Sequence, residues 1–276
     1  MKPAVALTLA LLLVPAAAQD KDDVPKLIAQ LRDKAPQKRV QACQALEKLG
    51  AEARTAIPAL AEALKDKDAR VRSAAAYALG QTGPETKAVV NALAAALKDK
   101  DEEVRKPAAD ALGRLGPDAK AAVPALAAAL KDPALRSIAA YSLGRIGPAA
   151  LKLLTEATKD KDEEVRIDAV VALGMVGKEA VPALAAALKD KSAEVRLNAA
   201  STLGKLGPDA KGATAALAGA LKDSDAEVRQ RAVRTLGFIG PPAKDAIPAL
   251  AEAARDKDPA VRDAAEQALE RIRAKK

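Results

Sequence analysis

A Val-Arg pair that returns about every 30 residues is the feature that most limits what this chain can fold into. The copies are Lys38-Arg39, a degenerate first form, then Val71-Arg72, Val104-Arg105, Leu135-Arg136, Val165-Arg166, Val195-Arg196, Val228-Arg229 and Val261-Arg262. Successive copies are 33, 33, 31, 30, 30, 33 and 33 residues apart. A near-constant period of this length indicates one supersecondary unit that is repeated along the chain and packs on its neighbours.

Each copy of the pair begins a helical pattern. Ala stands four residues after the first member of the pair, and Leu stands eight residues after it, in all eight copies. Positions 0, 4, 8 and 11 of the unit lie on one face of an α-helix. The pattern therefore predicts a helix of about 13 residues in each unit, helix B, after an Ala/Leu-rich helix A such as residues 56–66.

The helix ends have signals of their own. An N-cap residue stands three residues before the pair in six copies: Asp68, Asp101, Asp162, Ser192, Asp225 and Asp258. A Gly that predicts the helix stop follows at Gly50, Gly83, Gly116, Gly147, Gly177, Gly207 and Gly240. A second Gly lies inside helix B, at Gly80, Gly113, Gly144, Gly174, Gly204 and Gly237. Because Gly costs about 1 kcal/mol there relative to Ala, we expect close helix–helix approach at these six positions. Pro107 should kink the third B helix or shorten its first turn.

The iterated pattern D-x-x-V-R-x-x-A-x-x-x-L-G-x-x-G resembles the HEAT-repeat family, and in particular its short repeats named after phycobilin lyase subunits. The resemblance covers about residues 22–276. It implies an all-α, right-handed α-solenoid of the ARM/HEAT type with eight two-helix repeats, in which A helices form the convex side and B helices line the concave side. It also implies a ladder of Asp and Arg side chains between repeats. The pattern is specific for architecture and weak for function, since this architecture hosts many roles.

The Arg of each pair has two possible roles. It could bind phosphate or acidic groups along a groove, or it could pair with an Asp of its own or the adjacent repeat, since Asp68 and Arg72 are four residues apart. The strict co-occurrence of Asp and Arg favours the structural role. The Lys-Asp-Lys-Asp turns, with charges of alternating sign, are interpreted as solvated turn surface.

The first 18 residues have the features of a cleaved signal peptide. Lys2 gives a positive start, residues 4–14 are apolar apart from Thr8, and Pro15 and three alanines precede the predicted cleavage after Ala18. An uncleaved membrane anchor is the less favoured alternative, because this run is too short to span a bilayer. We therefore expect a mature solenoid of residues 19–276 that is exported to a periplasm or out of the cell.

The composition removes most catalytic chemistry. The sequence has no His and one Cys, so it cannot form a Ser-His-Asp triad, a His-containing metal site, an internal disulfide or a thiolate zinc site. A di-iron hydroxylase of HEAT architecture is excluded because its His-Glu ligand pairs have no counterpart. Cys43 stands where most repeats have Ala or Val, and we expect it to be a small buried residue. We predict no catalytic site and no cofactor.

Positions 2, 6 and 10 of helix B vary between repeats and share the face opposite the Leu positions; we call them the variable stripe. The stripe includes the acidic residues Asp110 and Asp263 and the basic residues Lys48, Lys106 and Arg271. An apolar run across three repeats is formed by Tyr141, Ile167, Val171, Met175 and Leu197. Exposed apolar patches rimmed by charge mark partner surfaces, and Tyr and Arg are common in hot spots. The predicted partner-binding residues are Tyr77, Arg114, Tyr141, Arg145, Ile167, Val171, Met175, Leu197, Lys205, Arg234 and Phe238. The alternative is that tighter curvature of the shorter repeats buries these side chains.

The sequence thus predicts a non-catalytic, exported, monomeric scaffold for protein–protein interaction, whose concave helix-B surface binds a protein segment with acidic flanks. The alternative function is an accessory or regulatory subunit of a chromophore-lyase or oxidoreductase system, which rests on the resemblance alone. Nucleic acid is disfavoured as a partner, because acidic and basic residues are interspersed, Trp is absent and export separates the chain from DNA.

Overall fold

The computed structural model describes residues 23–83 and 87–274, and over these residues the chain is a stack of eight helix pairs without a strand. The A helices are α1 (Val24–Gln30), α3 (Ile57–Ala63), α5 (Lys87–Ala96), α7 (Val123–Ala129), α9 (Leu151–Ala157), α11 (Val181–Ala187), α13 (Thr214–Ala220) and α15 (Ile247–Ala253). The B helices are α2 (Pro36–Leu49), α4 (Ala69–Thr82), α6 (Glu102–Leu115), α8 (Arg136–Ile146), α10 (Glu163–Val176), α12 (Ala193–Leu206), α14 (Ala226–Ile239) and α16 (Pro259–Arg273). The predicted signal peptide lies outside the described residues.

Short 3₁₀ segments join helix B to the next helix A and explain the uneven spacing. The segments Gly50–Ala56, Gly116–Ala122 and Gly207–Ala213 each have seven residues. Gly147–Ala150 has four residues and Lys178–Ala180 has three, and these two follow the helices whose Val-Arg pairs are 30 residues from the next. The variation in repeat length is therefore taken up largely in this turn, and the helices keep their pattern.

The predicted starts and stops of helix B are confirmed with one exception. The side chains of Asp68, Asp162, Ser192, Asp225 and Asp258 accept backbone N–H groups of the first helical turn. Asp101 stands at the same position but makes no such bond; its carboxylate accepts a hydrogen bond from Arg72 at 2.6 Å. All seven stop glycines have positive φ, from 52° at Gly50 to 101° at Gly177, a conformation that glycine tolerates best.

Pro107 does not shorten its helix. Helix α6 starts at Glu102 and has the same 14 residues as α4 and α10. The predicted loss of the first turn is therefore wrong. Pro107 is buried in the sixth position of the helix. The other repeats share no residue type at this position, which is Ala74 in α4, Ile138 in α8 and Arg231 in α14.

The core is built from the small and medium apolar residues of the repeat. In α4, Val71, Ala75 and Leu79 have no exposed surface, and the equivalent positions are buried along nearly the whole stack. Consecutive B helices pack closely on each other, whereas consecutive A helices contact each other far less. This difference agrees with the arrangement that the HEAT resemblance implies, in which the B helices line the concave side of the stack.

The internal glycines allow this close packing. A Cβ atom added at Gly80 would lie 2.9 Å from Cα of Ala111, and one added at Gly113 would lie 2.6 Å from Oγ of Ser142. Both distances are shorter than a carbon atom tolerates. The expectation of close approach at these glycines is confirmed.

The Arg of each pair contacts an Asp of the next repeat, except Arg262 in the last described repeat. Arg72 donates from Nε to Asp99 Oδ2 at 2.8 Å and from Nη2 to Asp99 Oδ1 at 2.9 Å. The same two-bond pairing joins Arg166 to Asp190, Arg196 to Asp223 and Arg229 to Asp256. In these four pairs the acceptor is the Asp two residues before the N-cap position; Arg72 binds the N-cap residue Asp101 as well.

The interpretation of these turns as solvated surface alone is therefore wrong. The Asp99 side chain is only 14% exposed and the Arg72 side chain 8%. The lysines of the turn, such as Lys98 and Lys100, do lie exposed in solvent. Each turn presents its cations to water and uses its first carboxylate to hold the preceding repeat.

This ladder is weaker on both sides of the fourth repeat. Arg105 faces Asp132 at 3.4 Å, and the Nε of Arg105 is buried without a hydrogen-bond partner. Arg136 reaches the N-cap residue Asp162 through a single bond of 2.9 Å. Single or longer ionic contacts, which include Lys131 and Asp160 at 3.9 Å, therefore take the place of the two-bond Arg–Asp pairs around the fourth repeat.

Candidate partner-binding surface

The exposed large apolar side chains of the described residues all lie in the variable stripe. They are Tyr77, Tyr141, Val171, Met175 and Phe238, with 41–51% of each side chain exposed. The Ala/Leu core fills the space between helices without them. The alternative that shorter repeats bury Val171 and Met175 is therefore wrong.

Ile167 and Leu197 are half-buried and differ in this from Val171 and Met175. Ile167 packs against the core. Val171, one helical turn after Ile167 in α10, is exposed, whereas Ser201, one turn after Leu197 in α12, is half-buried. Ile167 and Leu197 form the base of the apolar run, and Tyr141, Val171 and Met175 form its accessible part.

Tyr141, Arg145 and Met175 come together where α8 meets α10. A Cβ atom added at Gly144 would lie 3.0 Å from both Cβ and Sδ of Met175, so the Met175 side chain rests on the backbone of α8. Arg145 donates from Nε to the Gly113 carbonyl oxygen at 3.0 Å. Its guanidinium lies 5.9 Å from the centre of the Tyr141 ring, and Nη1 lies 3.4 Å from the Tyr141 hydroxyl. The apolar run thus has a fixed cation beside it.

The basic residues of the stripe differ in how far their charge is compensated. Arg114 is paired with Asp110 at 2.6 Å within its own helix. Arg145 has no carboxylate partner over the part of the chain that the structure describes. Arg271 lies 5.5 Å from the centre of the Phe238 ring and covers the aromatic residue of the preceding repeat. Arg145 therefore offers an available charge, whereas Arg114 is largely neutralised.

The other predicted residues are spread along the stack. Tyr77 lies in the second repeat, Lys205 in the sixth, and Arg234 and Phe238 in the seventh. Tyr141 and Arg145 on α8 and Val171 and Met175 on α10 lie on neighbouring helices and form one patch. Tyr77 and Phe238 lie in other repeats, outside this patch. The predicted residues thus form a long surface with one continuous apolar centre.

Sequence reasoning missed a row of glutamates on the same surface. Glu103, Glu164, Glu194 and Glu227 stand three residues before the first stripe position and are exposed. Residues at i, i+3, i+7 and i+11 share a helical face, so these carboxylates continue the variable stripe toward the helix N-termini. We call this row the acidic edge. Extending the periodicity one turn upstream of the Val-Arg pair would have found it.

The opposite end of the stripe carries cations. The last turns of the B helices hold Lys48, Arg114, Arg145, Lys205 and Arg271, which we call the basic edge. Acidic residues in the first turn and basic residues in the last turn also suit the helix dipole. Since the B helices lie side by side, these cations stand along one edge of the concave surface and the glutamates along the other. Gln81, Met175 and Phe238 interrupt the basic edge, and Arg70 and Ala134 interrupt the acidic edge.

Cys43 is a structural residue, as expected. It is free and fully buried, and its burial raises the pKa of the thiol to about 12. A thiol with so high a pKa is a poor nucleophile. No group of three or more Cys, Asp or Glu side chains suited to a metal ion is found over residues 23–83 and 87–274.

The sequence profile for HEAT repeats matches this chain over residues 24–90, 85–134, 123–192, 151–224 and 181–270. The chain belongs to the HEAT-repeat family. The helix pairs, the close packing of B helices and the Asp–Arg ladder described above are those of HEAT repeats stacked into a solenoid. No helix of these repeats in the described residues is long and apolar enough to cross a membrane.

The chain is similar to several solved structures of other proteins. An engineered protein is 25% identical, with a TM-score of 0.48 over 91% of this chain and 78% of that chain. Human deoxyhypusine hydroxylase in complex with glycerol is 28% identical, with a TM-score of 0.40 over 91% and 96%. A second engineered protein is 23% identical, with a TM-score of 0.39 over the same shares. No curated protein matches the chain.

Proposed function

We propose that this HEAT-repeat chain is a non-catalytic scaffold that binds a segment of another protein on its concave helix-B surface. One observation carries the proposal: the five large apolar side chains that the described repeats leave exposed all lie on that surface. Exposed apolar side chains on one face, bordered by charge, are typical of interaction sites. Tyr141, Val171 and Met175 are the anchor site, and Arg145 beside them accepts an acidic residue of the partner.

The non-catalytic assignment is part of the same proposal. The sequence contains no His, and its one Cys is buried with a raised pKa, which leaves no activated nucleophile. Export completes the proposal and rests on the pattern of residues 1–18. The partner is then another exported protein.

The binding proposal is tested with the double variant Val171→Asp/Met175→Asp. Both residues are exposed, so the two substitutions should leave the helical circular dichroism and melting temperature nearly unchanged. The purified variant and the purified wild type are immobilised separately. Each is then incubated with the exported protein fraction of the cells that make this chain. We expect a protein that the wild type retains to be lost from the variant, because burying two carboxylates in an apolar interface is costly.

The matched control is Ala128→Asp/Ala186→Asp. These alanines are exposed on α7 and α11, so the control adds the same two charges to the convex side. It should retain the partner like the wild type. Retention by the concave variant on an intact fold, or loss by both variants, would contradict the proposed site.

The export proposal has its own measurement. Cell fractionation followed by N-terminal sequencing should find the chain outside the cytoplasm and beginning at Gln19. A Lys2→Glu change should retain the precursor inside the cell, since the positive start of a signal peptide is needed for export. An exported chain that still carries its first residues, or a chain found only in the cytoplasm, would contradict cleavage after Ala18.

A further inference from the structure

We propose that the partner segment is an α-helix with three distinct faces: an apolar face toward Tyr141, Val171 and Met175, an acidic flank along the basic edge and a basic flank along the acidic edge. This inference rests on the proposed function and specifies its partner. The sequence predicted a partner segment with acidic flanks; this inference gives the segment one acidic flank and one basic flank. The physical basis is that the concave surface separates its charges by edge.

The width of the concave surface fits a helix. Glu164 and Met175 mark the two ends of the stripe on α10 and are 11 residues apart, which is about 16 Å along the helix axis. An α-helix with its side chains is about 10–12 Å across, so a helix laid along the stack reaches both edges with its flanking side chains. An extended strand has side chains on only two opposite faces, so it cannot contact the apolar centre and both edges at once.

Charge complementarity sets which flank meets which edge. On the basic edge, Arg145 is held by the Gly113 carbonyl and the Tyr141 ring, so little side-chain freedom is lost when it binds a carboxylate. On the acidic edge, Glu164 and Glu194 are exposed in consecutive repeats. Asn198 donates to Glu194 Oε1 at 3.0 Å and holds that carboxylate at the helix start.

The helix dipole explains part of the charge pattern but not all of it. It favours Glu in the first turn and Lys or Arg in the last turn on any side of a helix. The outer side of the last turn in these B helices is buried in the stack, so the concave side is where such a charge can stand. The exposed Tyr141 and Val171 between the two edges, and Met175 at a position where other repeats have a cation, are not explained by the dipole.

The test uses three synthetic peptides of 18 residues that share one Leu/Ala face and are designed to be helical. The first has Glu on one flank and Lys on the other, the second has Glu on both flanks, and the third has Lys on both flanks. Binding to the folded chain is measured by fluorescence anisotropy. We expect the first peptide to bind about tenfold more tightly than either of the others, through several exposed ion pairs of modest strength. The preference should vanish at about 1 M salt.

Charge-reversed protein variants make the assignment of edges specific. Glu164→Lys/Glu194→Lys should move the preference to the peptide with Glu on both flanks. Arg145→Glu/Lys205→Glu should move it to the peptide with Lys on both flanks. The control Glu62→Lys/Glu156→Lys changes the net charge as much as the first variant, but on the A helices, and should keep the wild-type order.

The outcomes separate this inference from the proposed function. If the peptide with Glu on both flanks binds wild type most tightly, the overall positive charge decides binding and the two-sign partner is wrong, while the concave site stands. If the control changes the order of peptide binding as much as the edge variants do, the claim that the two edges contact the peptide flanks is also wrong. If none of the peptides binds a folded wild-type chain at millimolar concentration, both the inference and the proposed concave site are overturned.

Discussion

Arg72 and Arg262 occupy the same position in their repeats and make the same bonds to their own turns. Arg72 donates to the carbonyl oxygens of Asp66 and Lys67, and Arg262 donates to those of Asp256 and Lys257. Only Arg72 also binds carboxylates of a following repeat, because α16 is the last helix in the described stack. Comparing these two arginines therefore separates the effect of the ion pair between repeats from the effect of the hydrogen bonds to the residue's own turn.

Arg72→Met should lower the free energy of unfolding by about 3 kcal/mol, because it leaves the mostly buried Asp99 without its cation. Arg262→Met should lower it by less than about 1 kcal/mol. Urea denaturation followed by circular dichroism measures both. Equal losses would show that the Arg stabilises its own turn and that the ladder contributes nothing.

At the scale of the helix, glycine has opposite effects in the two helix types. Gly80 in α4 faces the backbone of Ala111, and an added Cβ would lie 2.9 Å from that Cα. Gly219 in α13 has open space around the same added atom. Close packing thus requires glycine between B helices, whereas nothing in the packing requires it at Gly219.

Gly80→Ala should lower the melting temperature, since overpacking costs about 1–3 kcal/mol and exceeds the gain of about 1 kcal/mol from helix propensity. Gly219→Ala should raise it, because only the propensity gain applies. Thermal melts of both variants against wild type decide the point. A Gly80→Ala variant as stable as wild type would mean that the B helices separate freely.

The positions and ends of the helices were the most predictable part of the structure. The Leu positions, the N-cap Asp225 and the stop Gly177 are local signals, and each was found where the sequence predicted it. Pro107 did not shorten α6, which keeps 14 residues although the proline lacks an N–H group. Local rules describe helix ends well and underestimate the effect of tertiary packing.

At the scale of the whole molecule, the ladder makes stability depend on pH. The hydrogen bond from Arg72 lowers the pKa of Asp99 below its usual 3.8, and the bond from Arg229 does the same for Asp256. A carboxyl whose folded pKa is lowered adds stability above its unfolded pKa and loses that contribution as the pH falls through the folded value. The solenoid therefore depends on several carboxylates staying ionised.

The melting temperature should be nearly constant between about pH 7 and pH 5 and should fall between about pH 4 and pH 2. The Asp256→Asn variant should melt at a lower temperature than wild type near neutral pH. Its melting temperature should fall less on acidification, because the variant lacks one of the carboxyls whose pKa is lowered in the folded state. Scanning calorimetry across this range measures both effects. A wild-type melting temperature that stays level down to about pH 2 would contradict the role of the ladder.

The candidate surface was half predictable from the sequence. That Tyr141, Val171 and Met175 lie outside the core follows from helical periodicity and from a repeat whose core positions are already filled. That Arg145 is held by Gly113 and that Arg114 is neutralised by Asp110 required the structure. A side chain several bonds long has many conformations, and only its neighbours decide which one it adopts.

By itself the sequence determined the repeat unit, the helix pairs, the small-residue core and the identity of the variable stripe, since all of these depend on contacts within a turn or two of helix. The tertiary structure alone decided which Asp each Arg binds, 27 residues further on for Arg72 and Asp99. It also brought the glutamates of separate repeats to one edge of the B-helix surface and the basic residues of separate repeats to the other. Both features depend on the distance and angle between stacked repeats, which no pattern within one repeat specifies.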